Sequence, residues 1–127
     1  REVCAGGGAR CNVVSPHPRR IAAIALAERV NEELGMTGRG DSLVGHQVRL
    51  ERAFTRHTRL LFCTTGILLR RLQGSASGTG PDLAGYTHII LDEVHERTLD
   101  SDFLLIVLRD LLATRSDLKL ILMSATL

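Results

Sequence analysis

Apolar residues recur every three or four positions over residues 19–34, which is the pattern of an amphipathic helix with one buried stripe. Gly35 follows at the place where glycine commonly ends a helix. A second, strongly apolar helix is predicted from a cap at Asp100 or Ser101 to position 113. A short third helix is predicted over residues 67–73.

Five other stretches are short apolar runs, which is the pattern of buried strands. They cover residues 11–15, 44–50, 59–63, 88–91 and 118–123. The first run ends at Pro16-His17-Pro18, which predicts a rigid turn, and the run at 44–50 alternates to give one polar face. The other runs have no polar face and alternate with helices. The pattern therefore predicts an α/β fold with a parallel sheet.

Polar residues follow four of these strands. They are Pro18-Arg19-Arg20, Thr64-Thr65-Gly66, Asp92-Glu93 and Ser124-Ala125-Thr126. In parallel sheets the ligand-binding crevice lies beyond the carboxyl ends of the strands, so we expect all four clusters at one edge. The glycine-rich stretch at 74–81 is predicted to be a flexible surface loop.

Composition narrows the functions and cellular locations to be considered for a chain with this fold. The chain has 127 residues and a net charge of +2, which is too small to argue for nucleic-acid binding by itself. Lys119 is the only lysine and lies between two leucines, so these residues hold no phosphate-binding loop of the G-x-x-x-x-G-K-[ST] type. Three cysteines without a C-x-x-C pair predict reduced thiols in an intracellular protein, which fits both cytoplasm and nucleus. We expect a cytoplasmic location, with the nucleus as the alternative. No apolar run approaches the length of a membrane helix.

The sharpest chemical signal is Asp92-Glu93-Val94-His95. An aspartate at the end of a buried strand is how phosphate-transferring ATPases hold Mg²⁺, and a neighbouring glutamate can deprotonate a water that attacks a γ-phosphate. The plainer alternative is a pair of solvated acids at a turn. A zinc site is a further alternative, since His88, Asp92 and His95 have helical spacing, but the apolar run after His88 favours a strand.

The other clusters carry weaker signals. Thr64-Thr65-Gly66 before a helix presents hydroxyl and backbone N–H groups to an anion, although threonine is also a common helix cap. Arg19 and Arg20 suit bidentate contacts with phosphate, or else form a solvated face. The remaining weak candidates are Gln47 and Arg49 on one strand face and the hydroxyl groups of Ser124 and Thr126.

Five segments follow one another in an order that a known family shares. They are residues 18–21, 45–51, 63–70, 92–97 and 124–126. In this order they resemble the motifs of the DEAH/RHA group of DExH-box RNA helicases, and five ordered motifs are far more specific than any one. The resemblance implies a three-layer RecA-like fold of the P-loop NTPase type, with a parallel sheet that is incomplete in this chain.

The resemblance also implies an ATP-dependent RNA helicase that uses ATP and Mg²⁺. By position, Asp92 would coordinate Mg²⁺, Glu93 would act as the catalytic base, and His95 would link the nucleotide site to a second helicase domain. Ser124 and Thr126 would couple hydrolysis to unwinding. The residues implied to contact the RNA backbone are Arg19, Arg20, Thr64, Thr65 and Gly66. Such contacts give affinity without reading sequence.

Some positions depart from the family pattern. Pro16-His17 stands where Thr-Gln is usual, His46 replaces a tyrosine and Val94 replaces an alanine. The family's phosphate-binding loop is expected upstream of these residues and the second RecA-like domain downstream. We therefore interpret residues 1–127 as part of the helicase ATP-binding domain.

The subgroup that the chain resembles most is associated with translation initiation, which makes the small ribosomal subunit a candidate partner besides RNA. The alternative function is a degenerate helicase-like module that binds RNA or protein without ATPase activity. An intact phosphate-binding loop upstream would favour the enzyme.

Overall fold

The computed structural model describes residues 11–35, 43–76, 85–92 and 99–124, which form six strands and three helices. The strands are β1 (Val13–His17), β2 (Val44–Val48), β3 (Glu51–Ala53), β4 (Leu60–Thr64), β5 (His88–Leu91) and β6 (Lys119–Leu122). The helices are α1 (Arg20–Glu33), α2 (Thr65–Ala76) and α3 (Leu99–Thr114). None of these described helices is both long and apolar enough to cross a membrane.

All six strands form one sheet in the order β3-β2-β4-β1-β5-β6. Each neighbouring pair is parallel except β2 and β3, which form an antiparallel hairpin. The register places Val14 of β1 between Leu61 of β4 and Ile89 of β5. The predicted α/β fold with a parallel sheet is confirmed.

Helices cover the sheet on both faces, and successive residues of β4 show this. Leu61 and Cys63 are buried in the apolar core that α2 and α3 form with the sheet. Phe62 is buried on Ala23 and Ala27 of α1, whose small side chains let the helix lie close to the strands. Because neighbouring residues of a strand point to opposite faces, α1 covers one side and α2 and α3 cover the other. The three layers agree with the expected RecA-like architecture.

Strand β1 is longer than predicted at its carboxyl end. Pro16 and His17, which the sequence placed in a rigid turn, belong to the strand and are buried. A proline has no N–H for a strand ladder. It fits here because β1 pairs with β5 only at Val13 and Val14, so the β5 side of the strand has no ladder at Pro16. The chain leaves the sheet at Pro18, which is exposed.

The strand predicted over 44–50 ends at Val48, and β3, which was not predicted, returns beside it. Arg49 and Leu50 form the turn between them. Leu50 has a φ of 67° and is 97% exposed. This left-handed conformation favours glycine or asparagine, and a turn without either gives no hairpin signal in the sequence.

Helix α1 lies within one residue of its predicted bounds at each end. Gly35 has a φ of 74°, the conformation expected for a glycine that ends a helix. Strands β4, β5 and β6 also lie within one residue of their predicted bounds. Each of these segments has a strong local apolar pattern, so local sequence was sufficient to find it.

The other two helices differ from prediction at their ends. Helix α2 begins at Thr65 and runs to Ala76, so positions 74–76 are helical where a loop was predicted. Buried Leu68 and Leu72 anchor this helix on the core, and packing of this kind commonly outweighs a glycine's low helix propensity. The rest of the predicted loop, 77–81, lies outside the described residues. Helix α3 already includes Leu99, so Asp100 and Ser101 lie inside the helix and not at its cap position.

Candidate functional site

The described members of the four polar clusters lie at one edge of the sheet. Pro18, Thr65, Asp92 and Ser124 follow β1, β4, β5 and β6 in the chain. These strands are neighbours and run parallel, so their carboxyl ends point the same way. The structure therefore brings these residues to the edge where ligands bind in such sheets. The other members, Glu93, Ala125 and Thr126, and the coupling residue His95 lie outside the described residues.

Asp92 lines a small cavity at this edge, where the ends of β1 and β5 meet the starts of α2 and α3. Thr65 and Ser101 line the same cavity. Carboxylate and hydroxyl oxygens are ligands that Mg²⁺ accepts, directly or through water, so these residues fit the magnesium site implied for Asp92. Sequence reasoning interpreted Ser101 only as a helix cap, because only the packing of α3 brings it beside Asp92.

Arg19 and Arg20 stand at the start of α1 with exposed side chains. Nη2 of Arg20 lies 3.2 Å from Oε2 of Glu51, which comes from β3. Within the described residues, no side chain caps α1, and its first turn contains no acid. Two guanidinium groups at the positive end of a helix dipole make this turn attractive to an anion such as phosphate.

The Thr64-Thr65-Gly66 segment is divided between two environments. Thr64 ends β4 opposite His17 and is half-buried, and Thr65 is buried beside the Asp92 cavity. Gly66 is exposed, and no described atom lies within 4 Å of where a Cβ would stand. The backbone at the start of α2 is therefore open to a ligand, while Thr65 lies beside the Asp92 cavity.

A second polar surface, which we call the hairpin pocket, lies between the β2–β3 hairpin and the start of α2. Its lining residues are Gln47, Val48, Arg49, Leu50, Glu51, Arg52, Ile67 and Arg70. Gln47 and Arg49 were weak candidates from the sequence, and the structure places them together. Arg52 and Arg70 were missed, because β3 was not predicted and nothing local indicates that α2 packs beside it.

Two of the residues that depart from the family pattern are buried or nearly so. His17 is 7% exposed, its Nε2 lies 3.1 Å from Oγ of Ser15, and its ring centroid lies 5.8 Å from that of Phe62. His46 is nearly buried, with Nε2 at 3.6 Å from Oε1 of Glu51. Both imidazoles therefore contribute to packing on the α1 face and not to the exposed crevice.

The zinc hypothesis loses its geometric basis. His88 begins β5 and Asp92 follows its end, so an extended strand separates them by about 13 Å. Within the described residues, no three His, Cys, Asp or Glu side chains come close enough to hold a metal ion. His95 lies outside the described residues. The ring nitrogen Nδ1 of His88 is already 2.7 Å from Oγ1 of Thr87.

Comparison with known proteins points to one class. No protein-family model matches the chain. It is 56% identical over 126 residues to the DExH-box ATP-dependent RNA helicase DExH3 of Arabidopsis thaliana, a match that covers 99% of the chain and 10% of that relative. It is 53% identical over 123 residues to the ATP-dependent RNA helicase DHX29 of Mus musculus, over 94% of the chain and 9% of that relative. The crystal structure of the Escherichia coli DExH-box NTPase HrpB superposes with a TM-score of 0.83 at 36% identity, over 99% of the chain and 15% of HrpB.

Proposed function

The chain belongs to the DEAH/DExH-box family of helicases, and we propose that it is part of the first RecA-like domain of an ATP-dependent RNA helicase. The observation that carries this proposal is the cavity at the end of β5, where Asp92, Thr65 and Ser101 meet. Oxygen-bearing side chains at the carboxyl edge of a parallel sheet suit a metal-bound triphosphate. The proposed activity is ATP hydrolysis coupled to RNA unwinding or to remodelling of RNA–protein complexes.

Each residue of the acidic segment has its own task in this proposal. Asp92 would hold Mg²⁺, through water, and a bound Mg²⁺ would supply positive charge beside the triphosphate. Glu93 accepts a proton from the attacking water as the general base. His95 connects the nucleotide site with the second RecA-like domain, and Ser124 and Thr126 transmit the state of the nucleotide to the RNA side.

The RNA backbone contacts the starts of α1 and α2. The proposed contacts are Arg19, Arg20, Thr64, Thr65 and Gly66. The exposed arginines, the positive ends of two helices and the open backbone at Gly66 support them. Because these groups recognise phosphate and not base edges, we expect RNA binding without sequence preference.

The remaining parts of the enzyme are proposed to lie outside residues 1–127. Lys119, the single lysine, begins β6 at the amino edge of the sheet, opposite the edge that carries Asp92. The lysine that contacts ATP phosphates must therefore come from another segment, which we place upstream, with the second RecA-like domain downstream. The small ribosomal subunit as a partner, and the cytoplasm rather than the nucleus as the location, are proposed on subgroup resemblance alone.

Glu93→Gln in the full-length protein tests the catalytic assignment. We expect RNA-stimulated ATP hydrolysis to fall by a factor on the order of 10²–10⁴, which is what a general base contributes. Binding of nucleotide and of RNA should be retained. Asp110→Asn removes an exposed carboxylate from the distant end of α3 and is the matched control, expected to hydrolyse ATP like the wild type.

Two outcomes would contradict the proposal. Wild-type turnover by Glu93→Gln would remove the general base from the mechanism. A wild-type protein that binds RNA but hydrolyses no ATP would instead support the helicase-like binding module without ATPase activity.

A further inference from the structure

The two arginines at the start of α1 differ in their partners. Nη2 of Arg20 donates a hydrogen bond of 3.2 Å to Oε2 of Glu51, whereas Arg19 has no ion-pair partner among the residues that the structure describes. Glu51 belongs to β3, so this ion pair joins the edge of the sheet to the first turn of α1. Both side chains of the pair are exposed, so a ligand in solution can reach them.

The pairing of β2 with β3 directs Glu51 toward α1. Glu51 stands opposite Val48, and cross-strand neighbours share one face of the sheet. Val48 packs on the α1 face with Ala23 and Ala27. The carboxylate therefore lies on the α1 side of an edge strand, where it reaches the first turn of the helix.

His46 lies beside the same carboxylate. Its Nε2 is 3.6 Å from Oε1 of Glu51, which is too far for a hydrogen bond, and this buried nitrogen has no hydrogen-bond partner among the described residues. The two oxygens of Glu51 therefore face different groups. Oε2 faces Arg20, which is always charged, and Oε1 faces an imidazole that is charged only when it is protonated.

The surroundings of His46 contain few other charged groups. In the neighbouring strand β4, Phe62 stands opposite His46, and α1 covers this face with alanine side chains. His17, the other histidine on this face, contacts Phe62 with its ring centroid at 5.8 Å. Within the described part of the chain, Glu51 is the one ion-pair partner of His46, and Arg20 is the next charge beyond it. A proton on His46 therefore acts on Glu51 directly and on Arg20 through Glu51.

A phosphate at the start of α1 would use donors that Glu51 already occupies. A guanidinium group binds a carboxylate and a phosphate with the same N–H groups, so the two anions compete for Arg20. A shift of about 0.5 Å would bring Oε1 of Glu51 within hydrogen-bond distance of a protonated His46. Protonation then favours an anion in two ways, because it frees donors of Arg20 and adds one positive charge.

We propose that Glu51 sets the affinity of Arg20 for an RNA phosphate by competing for its guanidinium group, and that a protonated His46 draws the carboxylate away from Arg20. The inference rests on the RNA binding proposed above and adds its control by pH. Both are positioning residues, since Glu51 acts through Arg20 and His46 acts through Glu51. RNA affinity should therefore rise as the pH falls from about 8 to about 5, the range in which histidine takes up a proton.

Glu51→Gln in the full-length protein tests the competition. The amide keeps the shape of the side chain, so the fold should be retained, but it no longer attracts the guanidinium group by charge. We expect the affinity for a labelled single-stranded poly(U) RNA at about pH 8 to rise roughly two- to fivefold, the size of one exposed ion pair. Glu33→Gln is the matched control, because Glu33 forms the same kind of pair with Arg29 at the other end of α1, and it should bind RNA like the wild type.

A double change separates competition for Arg20 from a general loss of negative charge. In an Arg20→Gln background, Glu51→Gln should no longer raise RNA affinity, because the guanidinium group for which it competes is gone. An equal rise in both backgrounds, or a Glu51→Gln protein that binds no more tightly than Glu33→Gln, would show that the inference is wrong. If the wild type itself does not bind poly(U), the proposed RNA-helicase function is wrong instead.

The pH profile of RNA binding tests the role of His46. Between about pH 8 and about pH 5.5, the affinity of the wild type should rise roughly two- to fivefold more than that of His46→Tyr. Glu51→Gln should lose the same part of the profile. His57→Gln removes an exposed histidine from the loop after β3 and should keep the wild-type profile. A wild-type profile in His46→Tyr would overturn the part assigned to His46.

Discussion

The two halves of the sheet, on either side of β1, end differently. On one side, β4 and β2 lead to β3, a three-residue edge strand whose exposed side chains include Glu51 and Arg52. On the other side, β5 leads to β6, the edge within the described residues, whose sequence is Lys-Leu-Ile-Leu. There Leu122 is 48% exposed and the following Met123 is 42% exposed. The hairpin half ends in charge, whereas the β6 half ends in apolar surface.

This difference indicates which edge of the sheet can pair with a further strand. Short, charged edge strands prevent further pairing, and exposed apolar edge strands favour it. Two further contacts stabilise the hairpin half. Arg71 of α2 donates a hydrogen bond to Gln47 of β2, and the backbone at Gly45 packs closely against the chain that follows β3. The β6 half has the character of a surface that another segment covers. It thereby supports the proposal that more of this domain lies outside residues 1–127.

The largest expected effect concerns the hairpin half. A Cβ atom at Gly45 would stand 2.5 Å from the carbonyl oxygen of Ala53 and 2.8 Å from Cβ of Phe54. Gly45→Val should therefore lower the free energy of unfolding by roughly 3 kcal/mol, as overpacking against backbone does. Urea denaturation measures this. Gly66→Ala, at an open helical position, is the control and should be neutral or slightly stabilising. Equal effects of the two changes would mean that the hairpin is not closely packed.

A smaller effect is expected from the buried thiol of Cys63 in β4. Burial raises the pKa of this thiol to about 12, and the charge of Arg71 offsets only a little of that rise. An unfolded thiol has a pKa of about 8.5. The unfolded state therefore loses its proton first as the pH rises. The contribution of Cys63 to stability is complete below about pH 8.5 and is lost progressively toward about pH 12.

Comparing wild type with Cys63→Ala measures this contribution. The free energy of unfolding of the wild type should fall more steeply with pH, by between about 2 and 3 kcal/mol more at about pH 10.5. Urea denaturation between about pH 8 and pH 10.5 provides the two slopes. Parallel slopes would mean that Cys63 is not enclosed in the hairpin half as the structure has it.

The smallest effect on stability is expected at the β6 edge. Leu122→Lys places a charge on exposed apolar surface, so the free energy of unfolding should change by less than about 1 kcal/mol. Self-association of the expressed chain should decrease, since charged edges resist pairing. Sedimentation measures the association. Leu120→Lys, in the same strand but packed on the apolar core, should destabilise strongly. Unchanged association of Leu122→Lys would remove the contrast between the two sheet edges.

Of the candidate site, the sequence predicted only the residues that directly follow strands. Asp92 and Thr65 follow apolar runs, and parallel strands bring such positions to one edge, so their proximity followed from pattern alone. Ser101 and Arg70 lie on helices, and a helical pattern does not say which strand end the helix packs beside. The β2–β3 hairpin was not predicted because Leu50, in its turn, is not a residue that favours the left-handed conformation. Pairing of Gln47 with Arg52 on either side of the turn holds Leu50 in that conformation.

By itself, the sequence determined the three helices and every described strand except β3, that the sheet is mostly parallel, and which polar residues follow its strands. These properties depend on spacing over a few residues, which local pattern records. Only the tertiary structure decided the strand order, the hairpin edge and the contacts of Arg71. Arg71 meets Gln47 across 24 positions and Tyr86 across 15. Such contacts exist because whole elements pack together, and no local pattern around any one of these residues records that packing.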